Sequence, residues 1–353
     1  MNVAGWVLAT TMLVQAQVAL ANPVRTSEAV QALRLAADHI ETEYVDADKA
    51  SKIAAILRKE AGALRRRPKT DQALADDITS LLRSLSADQH FSFRYSATAM
   101  PADIFAVRSS SDTEAAALRT ARSNNFGVLK VERLPGNIGL LDLDAFSAPG
   151  RMRRPLAAAM EFLRHCDAMI VDLRYNGGGD GRGAALAASY FLPETPVQLL
   201  SRLESRDPKQ TVELTTEGAL EAPRFLNRPV YVLTGPATFS AAEFLASALQ
   251  HKAGATVVGV KTRGGANPSM RIRLTPHFGI MLPVLRGVEL TRTSAEIIPD
   301  QPTTAREALV HARRLALTSL LAEHPRDVLS EVWKKALEDL APRPAAKADG
   351  AGL

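Results

Sequence analysis

The chain has 353 residues, which is enough for one large domain or two smaller ones. Charged residues make up 23% and hydrophobic residues 46%, a balance typical of soluble globular proteins with a sizeable core. The net charge of +5 comes from scattered basic residues that are not interleaved with aromatic ones, so we expect no nucleic-acid partner.

The first 21 residues carry no charged side chain and end in Ala19-Leu20-Ala21. Two small residues in this spacing are typical of a signal-peptide cleavage site. The alternative is a membrane anchor, which the two glutamines and two threonines of the stretch disfavour. We therefore predict a signal peptide over residues 1–21, a periplasmic or extracellular location, and no stable membrane insertion after cleavage.

Residues 22–94 contain three successive stretches with apolar positions at helical spacing, which predicts an N-terminal helical domain. This pattern ends in "SADQHFSFRY", where alternation replaces helical periodicity. Residues 95–124 are polar and mixed, and we interpret them as a connecting segment.

Strand-like apolar runs alternate with amphipathic stretches over residues 125–303, which predicts βαβ units and a largely parallel sheet. Two amphipathic helices are expected over 304–341, followed by a disordered tail at 342–353. The predicted fold class is α/β with mixed α+β features, in which a helical bundle precedes a core of sheet and helices.

The cysteine and histidine content argues against disulfides and metal sites. The single Cys166 has no partner, so the fold cannot depend on an internal disulfide. None of the seven histidines shows a metal-binding spacing such as HxxxH or HExxH. We predict no metal and no other cofactor.

Ser240, in "TFSAAEFL", lies between a strand-like run and an amphipathic one, so it should occupy a tight strand-to-helix turn. Serine followed three residues later by glutamate forms a capping box. The same position would also expose a nucleophile, and these residues alone leave the two interpretations open.

The glycine run in "IVDLRYNGGGDG" also follows a strand-like run. Bare amides in such a loop suit either a phosphate or an oxyanion, although the lysine of a P-loop is missing. Because the carboxyl ends of parallel strands meet at one edge of a sheet, this loop and Ser240 should lie together.

Taken in order, the motifs "LPGNIGLLDLDAF", "AMIVDLRYNGGG", "RPVYVLTGPATFSAAEFLASALQ", "ATVVGVKTRGGANP" and "IIPD" resemble the tail-specific serine peptidase family. The branch that is most similar is related to interphotoreceptor retinoid-binding protein and the tricorn protease core. With the "ADQHFSF" junction and the N-terminal helices, the resemblance spans about residues 27–302. It implies a ClpP/crotonase-like peptidase core.

The resemblance implies roles for particular residues. Ser240 matches the family nucleophile, and His90 matches the general base of this branch. Gly177 and Gly178 match the loop that donates an oxyanion N–H, and the amide of Ala241 would supply a second one.

Three departures from the family pattern matter. Gly265 occupies the position at which the bacterial processing branch has a catalytic lysine, and Lys261 lies too early to replace it. The usual carboxylate lies in a stretch that is shortened here, so Glu296 is the nearest candidate for orienting His90 and Glu289 is the alternative. The segment 95–124 is too short for a PDZ domain.

The resemblance therefore implies an exported serine endopeptidase that acts on unstructured or C-terminal segments of polypeptides. The alternative is a non-catalytic module that binds hydrophobic ligands or peptides on the same fold. A non-peptidase acyl hydrolase is a third hypothesis, although Ser240 lacks the G-x-S-x-G setting of α/β-hydrolases.

Overall fold

The computed structural model describes residues 23–64, 66, 69–100, 111–206, 211–265, 267, 269–288 and 296–341. The predicted signal peptide, the predicted disordered tail and Glu289 lie outside these residues. No helix in the described ranges combines the length and the apolar character needed to cross a bilayer.

The helices of the described chain are α1 (Pro23–Glu43), α2 (Ala47–Leu64), α3 (Asp71–Ser86), α4 (Ser111–Ser123), α5 (Pro149–Leu163), α6 (Gly181–Ser189), α7 (Ala241–Lys252), α8 (Ala308–Glu323) and α9 (Ser330–Glu338). Its strands are β1 (Ser92–Tyr95), β2 (Val128–Leu134), β3 (Ile138–Leu143), β4 (Ala168–Asp172), β5 (Gln198–Glu204), β6 (Thr211–Thr215), β7 (Val230–Thr234), β8 (Thr256–Gly259), β9 (Ser269–Arg273), β10 (Phe278–Pro283), β11 (Arg286–Val288) and β12 (Gln301–Pro302).

The centre of the fold is a six-stranded sheet in the order β12-β8-β7-β4-β3-β2. Its neighbouring strands are parallel except β2, which pairs with β3 as an antiparallel hairpin. The predicted α/β class, with its largely parallel sheet, is confirmed.

Both faces of this sheet are buried, as expected for a parallel sheet. On β4, Met169 and Val171 point into a core shared with α5, α6 and α7. Ala168 and Ile170 point to the opposite face, which α8 and α9 cover. The uninterrupted apolar run of β4 is the sequence signature of this arrangement.

A second core joins the N-terminal helices to a later part of the chain. Thr70 caps α3 by accepting a hydrogen bond from the Ala73 amide (3.3 Å), and the helix ends at Ala87, whose φ is 58°. β1 then pairs with β10, and the sheet β1-β10-β9 buries Phe278, Ile280 and Leu282 against α1–α3. The helical bundle expected over 22–94 thus shares its core with a hairpin from residues 269–283.

Other elements were not expected from the sequence. α4 lies inside the segment interpreted as a connection, and β5, β6 and β11 form a separate three-stranded antiparallel sheet. Antiparallel strands of this kind carry a weaker apolar signal than the buried strands of the central sheet.

Candidate active site

Ser240 lies between the carboxyl end of β7 and the first residue of α7. Its backbone has φ 58° and ψ −120°, a conformation that non-glycine residues rarely adopt and that persists only where the surroundings enforce it. The Ser240 amide donates to Glu243 Oε2 at 2.7 Å, the return half of the predicted capping box. A strained serine at a helix N-terminus favours the nucleophile interpretation over a simple cap, since a cap ordinarily has an extended backbone.

Glu243 explains how this strained turn is held. Its side chain is fully buried and accepts three further hydrogen bonds, from Thr262 Oγ1 (2.5 Å), the Gly264 amide (2.7 Å) and the Gly265 amide (2.7 Å). Charge-assisted hydrogen bonds of this kind offset the cost of burying a carboxylate. Glu243 therefore ties the serine turn to the segment that follows β8.

The glycine loop lies directly against Ser240. Gly178 has φ +102°, and a Cβ added there would meet the Phe239 carbonyl at 2.8 Å and Ser240 Cβ at 2.9 Å. Only glycine fits this approach, because any other residue would be strained and would displace the serine turn. As predicted, the loop and Ser240 lie together at one edge of the sheet.

The amides of the glycine loop are not equivalent. The Gly178 amide donates to Asn176 Oδ1 at 2.8 Å, so it is already occupied. Asn176 is fully buried, and its Nδ2 donates to the Leu143 carbonyl (2.9 Å). Gly177 is exposed, and its amide has no acceptor among the described residues. The loop thus leaves Gly177, not Gly178, with a free donor. No pattern in the sequence marks Asn176 as the acceptor.

His90 reaches the same region from the turn between α3 and β1. Its ring lies against Phe239, the residue before Ser240, with ring centroids 4.5 Å apart. Its side chain is only 9% exposed, and its Nε2 is buried with no hydrogen-bond partner among the described residues. The structure therefore brings His90 to the Ser240 turn from 150 positions earlier in the chain.

The carboxylate beside His90 is Asp88. Its Oδ1 lies 3.2 Å from His90 Nδ1 and accepts the His90 amide at 2.8 Å, while its Oδ2 accepts from Asn267 Nδ2 at 2.8 Å. Burial alone would raise the pKa of Asp88, but the hydrogen bonds from His90 and Asn267 outweigh it and hold that pKa below its ordinary value. An ionised carboxylate at Nδ1 fixes the proton there and leaves Nε2 as the basic nitrogen.

Glu296, which the sequence favoured as the partner of His90, lies elsewhere. Its Oε1 is 2.9 Å from Lys261 Nζ in a largely exposed ion pair. Two hydrogen bonds between the neighbouring residues Ile297 and Thr262 explain this placement. The Ile297 amide donates to Thr262 Oγ1 (2.8 Å), and the Thr262 amide donates to the Ile297 carbonyl (3.2 Å). The carboxylate at His90 is therefore Asp88, while Glu296 is paired with Lys261.

Gly265 explains how an imidazole can occupy this site. A Cβ at residue 265 would lie 2.7 Å from Phe239 Cζ and 2.8 Å from His90 Cε1, both far inside van der Waals contact. Residue 265, which has no side chain, thus leaves the space beside it that the ring of His90 fills.

The described residues contain no group of three or more histidine, cysteine, aspartate or glutamate side chains arranged to hold a metal ion. The polar groups at the site are instead a serine, an imidazole–carboxylate pair and backbone amides. Such an arrangement is the one that serine hydrolases use.

The comparison with known proteins agrees with this class. Residues 137–302 of the chain match the model of Peptidase family S41. This confirms the resemblance to the tail-specific serine peptidases. The matched segment includes Ser240 and the glycine loop but not Asp88 or His90, so the structure alone places these two at the site.

A curated relative and two solved structures extend the comparison. The chain is 31% identical over 155 residues to the carboxyl-terminal-processing protease of Synechocystis sp. (strain ATCC 27184 / PCC 6803 / Kazusa). The matched residues make up 43% of this chain and 34% of that protein. The chain thus spans about a third of that relative's length. Mature CPAF has a TM-score of 0.58 at 13% identity, over 86% of this chain and 99% of the other. A protein from Parabacteroides merdae ATCC 43184 has a TM-score of 0.56 at 19% identity, over 88% and 100%. These two structures share the fold.

Proposed function

We propose that this protein is a serine peptidase in which Ser240 is the nucleophile, His90 the general base and Asp88 the residue that orients His90. The observation that carries the proposal is the buried imidazole against the Ser240 turn, with Nδ1 on a carboxylate and Nε2 without a partner. Most buried side-chain nitrogens in proteins have a hydrogen-bond partner, so a ring nitrogen without one beside the Ser240 turn suits a base that receives a proton.

The first chemical step is attack of Ser240 Oγ on the substrate carbonyl carbon while His90 Nε2 takes the hydroxyl proton. Nε2 has no partner within the described part of the chain, so it is available to take this proton. Asp88 stabilises the resulting imidazolium. His90 then protonates the leaving amine, and a water molecule activated by the same nitrogen hydrolyses the acyl-enzyme.

The negative charge on the carbonyl oxygen needs donors that are free. The Ala241 amide, at the first position of α7, donates to no acceptor among the described residues, and it lies at the helix N-terminus, which favours an anion. We assign the oxyanion site to the Ala241 and Gly177 amides. The Gly178 amide is bonded to Asn176, so it is not one of the oxyanion donors. Gly178 contributes instead by letting the loop lie close to the Ser240 turn.

The proposal is less specific about the substrate than about the residues. The Synechocystis relative is a carboxyl-terminal-processing protease, which supports cleavage near polypeptide C-termini. We propose unstructured polypeptide segments as substrates, and export directed by the uncharged apolar residues 1–21. N-terminal sequencing of protein from its native host should begin at Asn22, and a retained Met1 in a membrane fraction would contradict export with cleavage.

The decisive experiment is labelling with a fluorophosphonate, which reacts with activated serines. The wild-type protein should be labelled and Ser240→Ala should not. Ser84→Ala, which removes an exposed hydroxyl on α3, is the matched control and should be labelled like wild type. A wild-type protein that resists the reagent yet binds hydrophobic ligands or peptides would be a non-catalytic module on the same fold.

A further inference from the structure

Three arginines contact residues next to the His90–Phe239 pair or belonging to it. The Arg263 guanidinium lies 4.8 Å from the centroid of the Phe239 ring. Arg83 Nε, from α3, donates to the Phe91 carbonyl at 2.9 Å, one residue after His90. Arg94, on β1, donates to Ser92 Oγ at 3.2 Å.

These cations are close enough to affect one another. Burial lowers the pKa of Arg83 from its ordinary value, and the charges of Arg263 and Arg94 lower it further. Like charges gathered in this way oppose folding unless something compensates them.

No carboxylate of the described residues compensates them. None of the three guanidinium groups forms a salt bridge there, and the acid nearest to His90, Asp88, is already bonded to His90 and Asn267. Arg94 and Arg263 are exposed and therefore open to a ligand.

We propose that Arg83, Arg94 and Arg263 form a binding site for a carboxylate of the peptide substrate, close to the bond that is cut. Guanidinium groups bind carboxylates through paired, charge-assisted hydrogen bonds, and several arginines near one another favour an anion over a neutral group. The carboxylate comes from the substrate C-terminus or from an aspartate or glutamate side chain. This inference rests on the proposed peptidase function, which supplies the substrate.

The test measures binding in the Ser240→Ala protein, so that it does not depend on turnover. Fluorescent octapeptides share one neutral sequence and differ in their carboxylates. The first ends in an amide, the second in a free carboxylate, and an amidated series carries one glutamate at each position in turn. Affinity is read by fluorescence anisotropy at low and high salt.

We expect one class of carboxylate peptide to bind about three- to tenfold more tightly than the neutral amide, with the difference weakened by salt. Arg263→Gln and Arg94→Gln should each reduce this ratio towards one, whereas Arg326→Gln, an exposed arginine between α8 and α9, should preserve it. A preference for the free terminus identifies a C-terminal carboxylate, and a preference for glutamate at one position identifies a side chain.

Equal affinities for all peptides, or a preference that persists in Arg263→Gln and Arg94→Gln, would overturn the inference. Cleavage by the wild-type protein separates this failure from failure of the proposed function. Cleavage without a carboxylate preference removes only the binding site. A carboxylate preference without any cleavage or fluorophosphonate labelling removes the peptidase and leaves the site.

Discussion

Asp88 is separated from His90 by a single residue, yet nothing in the local pattern marks it as the partner. "SADQHFSF" has the composition of a turn, and the two side chains meet because the chain turns sharply at Ala87 and the His90 amide bonds back to Asp88 Oδ1. The sequence favoured Glu296 through the family pattern. Choosing between these carboxylates requires knowing that Ile297 pairs with Thr262. This pairing is a tertiary contact, which the local sequence does not indicate.

Exchange of Asp88 for asparagine should therefore cut kcat on an unstructured peptide by up to roughly 10⁴, because the amide no longer fixes the tautomer of His90 or stabilises its charged form. Substrate binding should change little. Glu296→Gln, which removes the exposed ion pair with Lys261, is the control and should remain near wild type. A large loss in Glu296→Gln with none in Asp88→Asn would return the orienting role to Glu296.

The space at residue 265 gives a second prediction at this scale. Gly265→Ala should lower kcat/KM by at least about tenfold, because its Cβ would displace the rings of Phe239 and His90. In the His90→Ala background the same change should add little, so a double-mutant cycle measures the coupling. Gly150→Ala, where a Cβ meets nothing within 4 Å, controls for the substitution itself. Additive effects in the cycle would show that residue 265 acts through something other than His90.

At the scale of elements, the parallel pairing of β3 and β4 brings two carboxylates side by side. Asp142 lies opposite Asp172, and burial together with the Asp172 charge raises the pKa of Asp142 to about 6. Arg174 binds Asp172 through Nη2 to Oδ2 (2.6 Å) and the Ala305 carbonyl through Nη1 (2.7 Å), so it compensates mainly Asp172.

Asp142 should make stability depend on pH. An aspartate in the unfolded chain has a pKa of about 3.9, so the folded state holds this proton more tightly. The resulting stabilisation is complete below about pH 4 and is lost as the pH rises through about 6. Asp142→Asn should consequently raise the melting temperature by a few degrees at pH 8 and leave it unchanged near pH 3.5. Asp339→Asn, at the exposed end of α9, serves as the control, and an equal gain at both pH values would contradict the assignment.

The central sheet was predictable from the sequence because its strands are buried on both faces. β4 and β7 are short, continuous apolar runs flanked by helical patterns, and only one topology suits such units. The hairpin of β9 and β10 was not predictable in the same way, because its buried face is completed by helices that lie nearly 200 residues earlier. Arg83 and Arg94 are likewise far from Arg263 along the chain, so the sequence did not indicate that the three arginines lie near one another.

For the whole molecule, the shared core means that the N-terminal helices cannot be separated from the peptidase domain. A fragment that begins at residue 96 would expose Phe278, Ile280 and Leu282 and would lack His90. We expect it to bind a hydrophobic dye and to show no cooperative unfolding. In the full chain, Phe278→Ala should cost about 3–5 kcal/mol in urea unfolding. A fragment that melts cooperatively would show that the boundary near residue 95 separates two independent domains.

The pairing of β1 with β10 also sets the order in which the protein can become active. Ser92 pairs with Met281, so the turn that carries His90 has no fixed place until residues beyond 280 have been made. In a chain made from its N-terminus, Ser240 precedes Met281 by 41 residues, so the serine is present before His90 has a fixed place beside it. Contacts this distant along the chain also form slowly. The site should thus become competent only after residues beyond 280 have been made and have paired with β1.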